Sequence, residues 1–302
     1  MDRRRARAYA LIAILLAAAA SPAPIIPIRE ARWLAPAARY RALTREPAEC
    51  LVLPVDGAGR RSVAIGRSLF RAPLLLGGQA ARAGMSCATC HRNGRGNPDF
   101  LFPGVSGAPG TADVTSSLMS SHRGDQIANP RPIPDLGNPR AALKVSRDPR
   151  DGALEHFIRG LVVEEFDGPE PPPEALAALA AYVRALRPEG CRGADRPITL
   201  AVRLAEVDAA VGLARQSEGE TRRLLLAAAR SMLGAIDERF QLPGLDADRR
   251  QLFAADRDLQ AIRSNLADFA GWDRTWPQRK RRLLSDERRS LFSAARVRAA
   301  LR

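Results

Sequence analysis

Cysteine and histidine are scarce in this chain: four cysteines and three histidines among 302 residues. A structural zinc site takes four ligands, commonly two Cys pairs or a Cys pair with a His pair. Here Cys50 and Cys191 stand alone, and His122 lies far along the chain from His156, so a zinc module finds little support. Aromatic residues make up only 5% of the chain, but 46% is hydrophobic, which suits packed helices and argues against disorder throughout. Beyond the N-terminal region no apolar run approaches the roughly 20 residues needed to span a bilayer. Gly94 and Gly96 lack the strand-turn-helix setting of a phosphate-binding loop.

What the chain does contain begins at its N-terminus. Arg3, Arg4, Arg5 and Arg7 precede an apolar stretch from Ala8 to Ala20, and Ser21-Pro22 follows, with Ala18 and Ala20 in A-x-A register. Residues 1–20 therefore read as a secretory signal peptide. As a helix the stretch would cover about 20 Å, short of a ~30 Å hydrocarbon core, and Pro22, Pro24 and Pro27 interrupt any extension, so cleavage is favoured over anchoring. Export places the rest of the chain in the periplasm, an oxidising compartment where Cys50 and Cys191 can form a disulfide.

The remainder divides by composition. Residues 21–49, rich in Arg, Ala and Pro, read as a linker. Residues 50–195 hold all the cysteines and histidines and most of the Pro and Gly. Helices are expected over Val63–Leu76, over a short segment at residues 86–91, near 153–161, and over Pro173–Arg187, with a long loop from Arg92 to about Asp151. From 196 to 302 helical periodicity dominates. Leu200, Leu204, Val207 and Val211 form one stripe; Leu225, Ala229, Met232, Ile236 and Phe240 form a second; Leu252, Leu259, Ile262, Leu266 and Phe269 form a third. Ser217–Glu220 reads as a capping box, Asp246 as an N-cap, and Ser285 as the start of a fourth helix. An all-α chain ending in an antiparallel helical bundle results.

The chemistry concentrates in "SCATCH", Ser86–His91. Cys-x-x-Cys alone suits a redox dithiol, but that reading needs a βαβ setting, and the surroundings are helical. Cys-x-x-Cys-His is the attachment motif of a c-type haem: Cys87 and Cys90 become thioether anchors and His91 the proximal iron ligand. Together with "IGRSLF" (Ile65–Phe70), the motif resembles the start of a haem domain in the bacterial dihaem cytochrome c peroxidases, and more broadly the cytochrome c domain, over roughly residues 60–190. The resemblance implies an N-terminal helix around Gly66 and Phe70 crossing a C-terminal helix around Tyr182 and Leu186. The chain departs from those peroxidases in having one haem motif and no spare cysteine pair. One covalently bound haem c per chain is expected, and a two-haem catalytic cycle within the chain is excluded if both haems must be covalent. The expected function is single-electron transfer by an exported monohaem cytochrome; the alternative is a peroxidase-like enzyme with an open or displaceable distal site.

The sixth iron ligand separates these two readings. Met119, in the loop "SLMSSH", leads the candidates, with His122, Met85, His156 and an open position as alternatives. Arg92, Arg95, Arg123 and Arg131 are candidate partners for haem propionates or ordinary surface charges. Arg123-Gly124-Asp125 reads as a turn. Charge is uneven: residues 196–270 carry 11 basic and 11 acidic side chains, whereas 271–302 carry 10 basic and 3 acidic, half of the net +14. Arg279–Arg282 would suit an acidic periplasmic redox partner or an anionic membrane surface, and equally a solvated helix face; export argues against nucleic acid.

Overall fold

A computed structural model describes residues 26–115, 118–122, 127–138, 144–191 and 193–302. The expected signal peptide, residues 1–20, and the Arg123 turn lie outside them. Helix α1 spans Arg39–Thr44, α2 Gly57–Leu69, α3 Pro73–Leu76, α4 Gly78–Ala83, α5 Cys87–Cys90, α6 Ala153–Gly160 and α7 Pro173–Ala185. Helices α8 (Leu200–Arg215), α9 (Gly219–Phe240), α10 (Asp246–Arg263), α11 (Ala270–Ser285) and α12 (Ala294–Ala300) complete the order. The described strands are two-residue ladders: β1 (Arg45–Glu46) pairs antiparallel with β4 (Arg196–Pro197), and β2 (Thr111–Ala112) with β3 (Arg131–Pro132). The chain is mostly helical, as the periodicity implied.

Local sequence explains most element ends. Asp56 accepts the Gly59 N–H at 2.6 Å and starts α2. That helix was expected to run to Leu76 but stops at Leu69, because Pro73 drives Ala72 into an extended conformation and opens a new turn. Helices α2 and α7 cross where Gly66 meets Ala178. A Cβ on Gly66 would lie 1.9 Å from the Ala178 carbonyl oxygen and 2.9 Å from Tyr182 Cβ, so only glycine allows this approach. Phe70 then packs edge-on against Tyr182, with ring centroids 5.1 Å apart.

Helices α8 to α11 pack each on the next, and α11 returns to α8. The three apolar stripes lie inside, with one break: α10 ends at Arg263, Asn265 turns left-handed at φ 57°, and Leu266 is exposed. Three local expectations also fail. Glu218 takes the N-cap position of α9 while the Ser217 hydroxyl accepts from Arg61 at 2.9 Å, Leu245 rather than Asp246 precedes α10, and Ser285 closes α11 instead of opening a helix.

The expected boundaries are softer than composition suggested. Helices α8 and α9 pack on α2 and α3, and one apolar core runs through both halves. The span read as a linker is packed over its described part: Ile26, Ile28, Ala31, Leu34, Ala42 and Leu43 form a second core with Leu291 and Val297 of the C-terminal segment. Its Pro, Ala and Arg content hid an apolar face carried by irregular structure. Cys50 and Cys191 form a disulfide, next to the β1–β4 ladder. The basic run is partly consumed: Arg279 pairs with Asp258 (2.6 Å), Lys280 with Asp208 (2.6 Å) and Arg282 with Asp248 (3.0 Å).

Candidate functional site

Helix α5 is a single turn, too short to stand alone, so its neighbours must hold it. The Ser86 N–H donates to Thr89 Oγ1 at 3.0 Å, the Ala88 N–H donates to the Phe70 carbonyl at 3.0 Å, and Asn97 Nδ2 donates to the Thr89 carbonyl at 2.9 Å. The turn is thereby fixed to the end of α2. Cys87 and Cys90 are unbonded to each other, and burial pushes both thiols up to about 12. They are protonated at neutral pH, the opposite of the lowered pKa that an attacking dithiol uses.

His91 follows the turn, with its N–H on the Cys87 carbonyl at 2.8 Å. Its Nδ1 lies 3.0 Å from the Pro134 carbonyl oxygen. A carbonyl can only accept, so Nδ1 carries the proton and Nε2 keeps its lone pair. Burial lowers the imidazole to about 4, against the opposing pull of the Pro134 bond and of Asp135, so the ring is neutral at pH 7. A neutral imidazole with one nitrogen committed to a carbonyl and the other free is the form that ligates a metal. Phe70 lies alongside, its ring centroid 6.3 Å from that of His91.

The two residues after Pro134 hold its loop in place. Asp135 accepts Arg95 Nε at 2.7 and 2.8 Å and the Gly137 N–H at 2.9 Å. Arg147 donates to the Leu136 carbonyl at 2.5 Å, and to the Val183 and Leu186 carbonyls at 3.1 and 2.8 Å. This guanidinium bolts the loop behind His91 to the C-terminal end of α7. Sequence reasoning missed Pro134, Asp135 and Arg147, because such long-range contacts leave no local pattern.

The distal candidates separate clearly. Met119 is 2% exposed and belongs to the same core that Cys87 and Cys90 pack against. Its loop is latched down: Ser120 Oγ donates to the Glu164 carbonyl, and the Ser121 N–H and hydroxyl donate to Asp167 at 2.9 and 2.8 Å. His122 points outward, its side chain 59% exposed and its Nδ1 3.0 Å from Asp167 Oδ1. His156 is exposed on α6, and Met85 is buried in the core just before the turn. Among the arginines, Arg92 is spent on the Ala42 carbonyl at 2.6 Å and on Glu30, Arg95 is spent on Asp135, and Arg131 is exposed on β3. Among the described residues, no three His, Cys, Asp or Glu side chains gather to hold a metal ion by themselves. Comparison with protein-family models, curated proteins and solved structures returned no match.

Proposed function

We infer that the chain is an exported monohaem c-type cytochrome that passes single electrons. The observation that carries this reading is the pairing of a one-turn Cys-x-x-Cys-His with an imidazole whose Nδ1 is committed to Pro134, leaving Nε2 available. Cys87 and Cys90 would hold the porphyrin as thioethers and His91 would be its proximal ligand. The haem, when bound, supplies a one-electron iron couple. The protein's part is to fix the imidazole tautomer through Pro134, to keep the anchoring turn seated on α2, and to keep water from the site with Phe70 and the core around Met119. Met119, buried on a latched loop, favours a closed electron carrier over an open-site enzyme. The redox partner on this reading is a periplasmic protein.

The test is to express the chain for export in a host with haem-attachment machinery. The expected product carries haem that survives acid-acetone extraction, and Cys87→Ser with Cys90→Ser should abolish it. Methionine ligation gives the oxidised form a weak far-red absorption band, which Met119→Leu should remove. A high-spin ferric protein that turns over peroxide would instead establish the enzyme. A purified chain without covalent haem from such a host would end the cytochrome reading.

A further inference from the structure

Arg279, Lys280 and Arg282 are held in ion pairs, which leaves Arg281 as the cation of that run without one among the described residues. In the last 32 residues all three carboxylates are occupied: Asp273 by Arg215, Asp286 by Arg289, and Glu287 by the Leu200 N–H at 2.8 Å. Arg274 and Arg281, seven residues and two turns apart on one face of α11, are exposed and make no ion pair among the described residues. Helix α10 repeats the pattern. Arg250 and Arg257 are also seven apart, exposed and unpaired, and Phe253 sits between them, 50% exposed. The two helices run antiparallel, pinned by Arg279 to Asp258 and Arg282 to Asp248, which brings the two arginine pairs to either side of one edge. The acidic residues Asp256 and Asp258 of α10 are turned sideways into pairs with Arg230 and Arg279, which leaves Asp246 at the head of α10 and Asp268 in the turn before α11 as exposed carboxylates without an ion pair among the described residues near this edge.

We propose that the α10–α11 edge binds the surface of an anionic lipid bilayer. Cations framing a half-exposed phenylalanine match an interface where headgroups carry negative charge and the layer just beneath is apolar. The placement favours lipid over a redox protein. Helices α8 and α9 are those that pack on α2 and α3, while α10 and α11 close the ring behind them. A protein docked on the outer face of α10 and α11 would face away from α2, on whose end the anchoring turn is seated. Attachment through that edge leaves the Cys87–His91 side open to soluble redox partners, a consequence that rests on the electron-transfer reading.

The experiment is co-sedimentation of the full chain with phosphatidylcholine vesicles containing phosphatidylglycerol, at low and high salt, beside vesicles of phosphatidylcholine alone. Binding is expected to the anionic vesicles only and should collapse at high salt. The variant Arg257→Gln, Arg274→Gln, Arg281→Gln should weaken it about a hundredfold, roughly fivefold for each arginine removed. Phe253→Ser should weaken it further, and Arg131→Gln, an exposed arginine of the other half, should leave it unchanged. These are surface positions, and an unaltered thermal unfolding midpoint confirms that the variants fold. Equal binding to neutral vesicles, no binding to anionic ones, or binding that survives the triple variant overturns the proposal. So does equally tight, arginine-dependent binding to polyglutamate, which would make the edge a docking site for acidic protein. Vesicle binding needs no haem signal, so its failure leaves the cytochrome reading standing, and a haem-free chain would leave this one standing.

Discussion

At the scale of single residues, the site divides into what is contiguous and what is assembled. On the proposed reading, Cys87, Cys90 and His91 are adjacent because one porphyrin would reach all three from a single helical turn, and spacing alone suggests those roles. Their support could not. The carbonyl that sets the His91 tautomer belongs to Pro134, and the guanidinium that fixes its loop belongs to Arg147, each in an irregular stretch with no periodicity to mark it. Arg147→Met should leave the Val183, Leu186 and Leu136 carbonyls without their charged donor. The expected loss is about 2 kcal/mol of stability, measured by urea unfolding at neutral pH. In haem-loaded protein the same change should loosen the Nδ1 bond to Pro134, make the imidazole a weaker donor, and raise the reduction potential while the covalent attachment persists. Potentiometric titration decides this, and an unchanged potential would reduce Arg147 to a structural bolt.

At the scale of elements, periodic stripes were legible and termini were not. Leu200, Leu204, Val207 and Val211 are all buried because a 4-3-4 spacing can bury only one helix face, whatever surrounds it. The capping box at Ser217 is missing because Arg61 from α2 takes its hydroxyl, a tertiary contact that overrides a local preference. The crossing of α2 and α7 depends on Gly66, whose absent side chain lets α7's backbone approach. Gly66→Ala would gain helix propensity worth about 1 kcal/mol and lose more to the clash with Ala178. Overpacking of this kind costs about 3 kcal/mol, for a net loss near 2 kcal/mol and a lower thermal midpoint in calorimetry. Because Phe70 and the turn at Cys87 hang from the end of α2, haem incorporation, on the proposed reading, should fall with it. A stable Gly66→Ala protein with full haem content would show that the crossing can slide without disturbing the site.

At the scale of the whole molecule, composition suggested a haem unit, a linker and a separate bundle, and packing joins them. Composition reports where apolar residues are, not which neighbour covers them, so a shared core is invisible to it. Deleting residues 196–302 would strip α8 and α9 from α2 and α3, and the expected result is an unfolded fragment rather than a smaller folded domain, checked by circular dichroism. The Cys50–Cys191 bond adds to the same closure. It spans 141 residues, and its loss should cost about 3–5 kcal/mol on a chain-entropy account. Beside it lies the polar joint. Glu46 of β1 accepts Arg196 at 2.9 Å and Arg203 of α8 at 2.5 Å, Arg203 also donates to Glu206 at 2.9 Å, and Glu206 faces Arg71, which reaches Asn93 at 2.7 Å. Burial alone would raise the Glu46 carboxyl, but Arg203 and Arg196 outweigh it and hold it below its ordinary 4.5. For Glu206 the same contest, with Arg203 and Arg71 prevailing, has the same outcome. A carboxylate lowered by folding contributes stability that is fully present above its unfolded pKa and is lost as pH falls through the folded one. The intact chain should therefore weaken below about pH 4.5. Glu46→Gln leaves Arg203 and Arg196 short of a charge, with an expected loss of about 3 kcal/mol at pH 7. The same variant should lose less than the parent between pH 5 and pH 3, since one of the titrating groups is gone. Urea midpoints across that range test both statements, and parallel acid limbs in parent and variant would show that the joint's carboxylates do not govern acid stability.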